Sequence, residues 1–245
     1  MPAQQPARSE TGFRIIPRLA VSDVDAAARL MAEAFGFASE SGGAGSALRV
    51  RRANQVIELT GNGNGSRQAG AIHHLALVAD DVPAMAAHHR GQGRLEGSMP
   101  AAGFVHAPQM WGNGVDYTFI DGPDGAIIEY CRGRDVFPVP RDLAEGAHDH
   151  IGVMTADIAA SIRFYRDLGF EVIAEVSVPD VAGPTEVAFV DRGAYSIELF
   201  SPAGIRKDGM PAVTAPLWSG LILSGASDLR AGTLTGPGGE RITIA

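Results

Sequence analysis

The chain has 245 residues, 45% of them hydrophobic and 20% charged, enough for one large domain or two small ones with a buried core. Lysine plus arginine total 20 against 28 aspartates plus glutamates, and the net charge of -8 argues against nucleic acid or an anionic membrane as the main partner. The single cysteine, Cys131, excludes an internal disulfide and any cysteine-rich zinc cluster. No apolar run approaches the ~20 residues of a membrane span. The polar opening MPAQQPARSETG lacks the apolar stretch of a signal peptide, so a cytoplasmic setting is expected.

In chain order, FRIIPRLAVSDVDAAARLMAEAFGF (13–37) reads as a short strand, then Asp23-Val24, then a segment at helical spacing. VIELTG (56–61) is a β-rich run with a glutamate after an isoleucine, and 62–70 is a linker. IHHLALVADDVPAMAAHHRGQG (72–93) opens a second unit, with Asp81-Val82 at its helix start. YTFI (117–120) and IIEYCRG (127–133) flank the turn signal DGPDG (121–125) and predict a hairpin. Beyond a linker at 132–147, HDHIGVMTADIAASIRFYRDLGF (148–170) opens a third unit. Asp157-Ile158 starts a helix whose apolar face is Ile158, Ile162, Tyr165 and Leu168, and Gly169 ends it. EVIAEV (171–176), TEVAFV (185–190) and SIELFSP (196–202) predict three more strands. After a third linker, 201–216, the runs LILSGASDL (221–229) and GPGGERITIA (236–245) repeat an opening and a closing, with Asp228-Leu229 as the helix start.

These segments are copies of one β-α-β-β-β unit, present three times in full and a fourth time without most of its helix and middle strands. The expected class is α+β: four tandem units, the last truncated, forming two curved-sheet domains. The expected boundaries are a flexible tail at 1–12 and a first half at 13–131, made of units 13–61 and 71–131. A linker at 132–147 then leads to a second half at 148–245, made of unit 148–202 and the truncated unit 214–245.

HHLALVADDV (73–82), DHIGVMTADIAASIRFYRDLGFEV (149–172) and AYSIELFSP (194–202) resemble the vicinal oxygen chelate superfamily. That superfamily includes glyoxalase I, methylmalonyl-CoA epimerase, extradiol ring-cleaving dioxygenases and bleomycin or fosfomycin resistance proteins. The resemblance covers about residues 13–202 and makes the two halves glyoxalase-like. It implies that paired units form a curved sheet whose concave face holds a divalent metal. Each first strand gives one ligand, and each last strand gives a glutamate. Carried over, the first-strand positions are Ile16, His74, His150 and about Leu221; the last-strand positions are Glu58, Glu129, Glu198 and Thr243. Units two and three supply a complete set in His74, Glu129, His150 and Glu198. Units one and four retain only Glu58.

Strand alternation puts His73 and His74 on opposite sides, with His74 beside Ala76 and His150 beside Gly152, where small residues leave room for a ligand. His148 shares the parity of His150 and is its understudy. His88 and His89 read as an exposed helix end, and Tyr117 and Tyr195 as core aromatics. His106 and Trp111 could line a pocket mouth. Cys131 shares the parity of Glu129 but reads first as a small buried residue. GPGG (236–239) is a turn, because no strand–helix context surrounds it. Two unit pairings compete, and ligand economy favours two with three and one with four, which leaves one complete site and one scaffold.

The resemblance implies one divalent ion, and the nitrogen–oxygen set suits Zn, Ni, Co, Mn or Fe(II). An octahedral ion held by four protein ligands leaves two positions for vicinal oxygens of a small substrate. It acts as a Lewis acid toward an enolate-type charge, with Glu129 or Glu198 as the base. This makes an isomerase or lyase the first reading. An Fe(II) ring-cleaving dioxygenase, using His74, His150 and one glutamate, is the alternative. A non-catalytic binding or resistance protein is the third. The expected partner is a small molecule, with neither nucleic acid nor membrane, and the chain is expected to be a monomer or homodimer.

Overall fold

The computed structural model describes residues 12–40, 47–63, 70–108, 110, 114–132 and 144–245. The expected tail before residue 12, most of the 132–147 linker, and Trp111 lie outside the described residues.

The recurrent aspartate explains where the helices start. Asp23 accepts the Ala26 N–H at 2.9 Å and caps α1 (Val24–Phe35). Asp81 accepts from Ala84 at 2.9 Å and caps α2 (Val82–Gly91); Asp157 accepts from Ala160 at 2.8 Å and caps α3 (Ile158–Asp167). Each satisfies an amide that the first helical turn leaves without a partner. Gly36, at φ 68, closes α1 in the left-handed region, which a side chain rarely adopts.

Unit one supplies β1 (Arg14–Ala20), β2 (Ala38–Glu40), β3 (Leu48–Arg52) and β4 (Gln55–Thr60). Unit two supplies β5 (Ile72–Val78), β6 (Val105–Ala107), β7 (Val115–Asp121) and β8 (Ile127–Arg132). Unit three supplies β9 (His148–Met154), β10 (Glu171–Val178), β11 (Thr185–Arg192) and β12 (Tyr195–Ser201). Unit four supplies β13 (Trp218–Ser224), β14 (Gly232–Thr235) and β15 (Arg241–Ile244). A short helix, α4 (Ala203–Asp208), lies in the segment read as the third linker.

Two mixed sheets result. One runs β14-β15-β13-β1-β4-β3-β2, the other β10-β11-β12-β9-β5-β8-β7-β6. First strands of partner units meet antiparallel at the centre, β1 with β13 and β5 with β9. Unit two therefore pairs with three, and one with four, as ligand economy predicts. Each sheet thus takes one unit from 13–131 and one from 148–245. The crossed pairing gathers His74, Glu129, His150 and Glu198 on one sheet. Consecutive pairing would bury them in incomplete sets, at a cost for each unpaired charge.

One continuous core takes side chains from both sheets and the helices, among them Ile15, Leu75, Ile151, Leu223, Phe35 and Tyr165. Strand alternation turns His74, His150 and Arg18 to the opposite faces, away from that core.

Two expectations fail here for packing reasons. Asp228 starts no helix: its carboxylate pairs with the buried Arg192 guanidinium, which lies 4.5 Å from the centre of the Phe13 ring. His89 is fully buried rather than exposed, its ring packed against Phe35 at 5.4 Å and Tyr130 at 5.7 Å. His88 alone has the expected exposure.

Candidate metal centre

The register of the eight-stranded sheet sets the site. Ala76 faces His150 across the central strands, and His74 faces Gly152. The parallel neighbours place Glu129 beside Ala76 and Glu198 beside Gly152. Two residues with little or no side chain thus floor a hollow into which two imidazoles and two carboxylates project. Gly152 is required sterically, because a Cβ there would lie 2.1 Å from Cε1 of His74.

The four groups converge. His74 Nε2 lies 3.0 Å from His150 Nε2, 3.0 Å from Glu129 Oε2 and 3.4 Å from Glu198 Oε2. His150 Nε2 is 3.4 Å from each glutamate oxygen. Ligands about 2.1 Å from a common ion stand about 3.0 Å apart in an octahedral set and about 3.4 Å apart in a tetrahedral one, so the spacing fits a divalent cation. His74, Glu129 and His150 are all buried, and Glu198 is nearly so.

The surroundings fix which atoms face inward. His150 Nδ1 donates to Asp149 Oδ1 at 2.8 Å, which leaves the Nε2 lone pair aimed at the centre. His74 Nδ1 is 3.0 Å from His73 Nδ1; the tautomer that donates from His74 leaves its Nε2 free to bind as well. Burial, then the neighbouring His74, holds the His73 pKa down at about 4, so its ring is neutral. Four electron-pair donors then point at one place, an arrangement suited to a cation. Without an ion, protons take that role. Burial disfavours charged imidazoles, but Glu129, joined by Glu198 at His74 and by Asp149 at His150, outweighs it and raises both the His74 and the His150 pKa. Burial likewise raises the glutamates, yet the two histidines more than reverse it and hold both below the usual carboxylate range.

A cavity of about 450 Å³ opens in front of the cluster. His106 lies at its wall, with Nδ1 2.7 Å from Asp116 Oδ1. Cys131 both lines the cavity and is a small buried residue. Tyr117 lines the cavity rather than the core. Burial, then Glu129 and Glu198, pushes its pKa up to about 12, so it remains a phenol. Tyr195 is buried, with its hydroxyl donating to the Asn54 carbonyl at 2.7 Å.

Two histidines depart from strict alternation. His73 lines the cavity beside His74, because an irregularity between Ile72 and His74 in the β5–β9 pairing breaks the up-down pattern. His148 is turned away from the cluster; its Nδ1 contacts Gln55 Oε1 at 2.6 Å, and its Nε2 accepts the Ser196 N–H at 3.0 Å. Sequence reasoning missed His73 and Asp149, whose roles depend on a bulge and on a sideways reach between neighbours. It also missed Phe119 and Phe189, which lie directly across from Glu129 and Glu198. Their shared place in two copies of the unit is a signal that a hairpin register could have found.

The seven-stranded sheet carries no equivalent constellation among the described residues. By register, the positions of His74 and His150 hold Ile16 and Gly220, so the unit-four position is one residue before Leu221. Arg18 takes the place of Ala76. It bonds Glu58 Oε1 at 2.8 Å and reaches Thr243 Oγ1 at 3.4 Å, while Arg49 bonds Glu58 Oε2 at 3.0 Å. Burial alone would raise the Glu58 pKa, but the two guanidiniums lower it. Here arginines supply the positive charge.

Residues 147–233 match the family model described as Glyoxalase/Bleomycin resistance protein/Dioxygenase superfamily. The crystal structure of glyoxalase I from Zea mays is similar over 96% of this chain and 93% of that one, at 16% identity and a TM-score of 0.66. A single-residue variant of that enzyme gives a TM-score of 0.69 at 16% identity, over 96% of this chain and 94% of that one. No curated protein matches the chain in sequence.

Proposed function

We propose that the chain, whose residues 147–233 match the Glyoxalase/Bleomycin resistance protein/Dioxygenase superfamily model and whose fold is similar to that of glyoxalase I, is a divalent-metal-dependent isomerase or lyase of that superfamily. The observation that carries this reading is the convergence of His74, Glu129, His150 and Glu198 to 3.0–3.4 Å spacings at the base of one cavity. These four residues would hold one ion. The bound ion supplies Lewis acidity toward two vicinal oxygens of a small molecule and lowers the cost of an enolate-type charge there. Asp149 orients His150, and the apolar cavity wall keeps water from the reacting carbon. Glu198 is the better placed of the two carboxylates to accept a proton, since it stands 3.4 Å from both imidazoles and is the more exposed.

A second reading has its own observation. His74, Glu129 and His150 form the more compact group, a two-histidine, one-carboxylate set that suits an Fe(II) dioxygenase if Glu198 stays outside it. Turnover under strict anaerobiosis decides between the two. The isomerase or lyase reading expects full activity without O₂. Consumption of one O₂ per substrate would replace it with ring cleavage.

A further inference from the structure

The cavity wall differs in kind from the floor. Phe119 and Phe189 are the cross-strand partners of the two glutamates. Phe200 stacks on the His74 ring, with centroids 6.0 Å apart and planes at 29°. Val115 and Val187 extend the apolar surface, and Tyr117 offers one hydroxyl. Among the described lining residues there is no lysine or arginine, and beyond the cluster the only carboxylate is Asp180.

This lining is a property of the site and not of the fold. The position across from the last-strand glutamate is phenylalanine in units two and three, but in unit one it is Arg49, across from Glu58. The same scaffold therefore carries Arg49 and Thr233 at this position on the other sheet and aromatic rings here. An anionic group entering the cavity would lose its hydration beside Glu129, Glu198 and Asp180 with no described cation to receive it, which is costly. An aromatic group would instead displace water from apolar walls and meet rings edge-on or offset.

Resting on the metal reading above, we infer that the site takes a small molecule whose vicinal oxygens are carried by an uncharged aromatic group, and that it rejects molecules with an anionic tail. Three hydroxamates test this, because they chelate a metal through the same two oxygens and differ only in the tail. Full-length protein loaded with Zn(II) is titrated calorimetrically with benzohydroxamate, acetohydroxamate and succinic monohydroxamate. Benzohydroxamate is expected to bind at least tenfold tighter than acetohydroxamate, and the carboxylate-tailed compound weaker than either. Phe119→Ala and Phe200→Ala should each reduce the ratio of benzohydroxamate to acetohydroxamate affinity several-fold, read on variants shown to have bound Zn(II) and to keep the parent circular dichroism. Equal affinity for the phenyl and methyl compounds, or preference for the carboxylate tail, on protein that has bound Zn(II) would overturn the inference and leave the metal reading standing. Protein that takes up no Zn(II) would overturn the metal reading, and the inference with it.

Discussion

Gly152 shows how narrow the tolerance at the cluster is. A methyl group there would collide with the His74 ring, so Gly152→Ala should swing the imidazole out of line. Displacing one nitrogen ligand is expected to weaken metal affinity about 10–100-fold, the range seen when an orienting contact is lost, with circular dichroism unchanged. Native affinity in this variant would mean that His74 is not a ligand. His89 supports a different prediction. Its ring is fully buried against two aromatic rings, and neither nitrogen has a hydrogen-bond partner among the described residues. Burial, then the nearby His88, holds its pKa at about 4, below the ordinary 6.5. Between those values the unfolded chain binds a proton that the folded one does not, so stability rises with pH across the window and is lost as pH falls through it. The slope from this one group is at most about 1.4 kcal/mol per pH unit. His89→Phe keeps the stack and removes the titration, so urea melts at pH 7 and pH 5 should differ less in the variant than in the parent.

At the level of elements, the aspartate caps are worth about 1 kcal/mol each. Asp157→Ala should therefore lower Tm by roughly 2–4 °C for a chain of this size, measurable by calorimetry. Asp228→Ala should leave helix content unaltered, since no helix begins there. These caps are why so much of the fold could be read from the sequence: an aspartate before an aliphatic residue marks the same event three times. Strand alternation likewise placed His74 beside Ala76 and His150 beside Gly152, and the glutamates followed from the repeat. The failures share one cause. Asp228 lost its capping role to a long-range arginine, His89 was drawn inward by Phe35 and Tyr130, and His73 was turned by a bulge. Each depends on a partner distant in sequence or on one extra residue in a ladder, and local pattern records neither. The arginine that neutralises Glu58 on the other sheet was equally invisible, because Arg18 lies on a strand position that units two and three fill with alanine and glycine.

For the whole molecule, the pairing of units makes the two sheets chemically unequal. One divalent ion per chain is expected by elemental analysis after reconstitution. Glu129→Gln should impair binding of that ion, whereas Glu58→Gln should not. The latter instead leaves Arg18 and Arg49 without their carboxylate, at a stability cost of about 1 kcal/mol, kept small by their partial exposure. Metal affinity damaged by Glu58→Gln and spared by His150→Ala would overturn the assignment. The same crossed pairing orders events during synthesis. The strands of the eight-stranded sheet run from Ile72 to Ser201 without interruption by the other sheet, whereas β1 must wait for β13, about two hundred residues later, before its second edge is covered. A nascent chain can therefore complete the middle of the molecule while β1, already able to pair with β4, still has its other edge open. Closing so long a loop is slow relative to local pairing. Pulse-labelled hydrogen exchange during refolding should find amides of β5, β8, β9 and β12 protected before those of β1 and β13. The seven-stranded sheet then closes last, and the β1 edge that awaits β13 is the strand edge the newborn chain must keep from pairing elsewhere for longest.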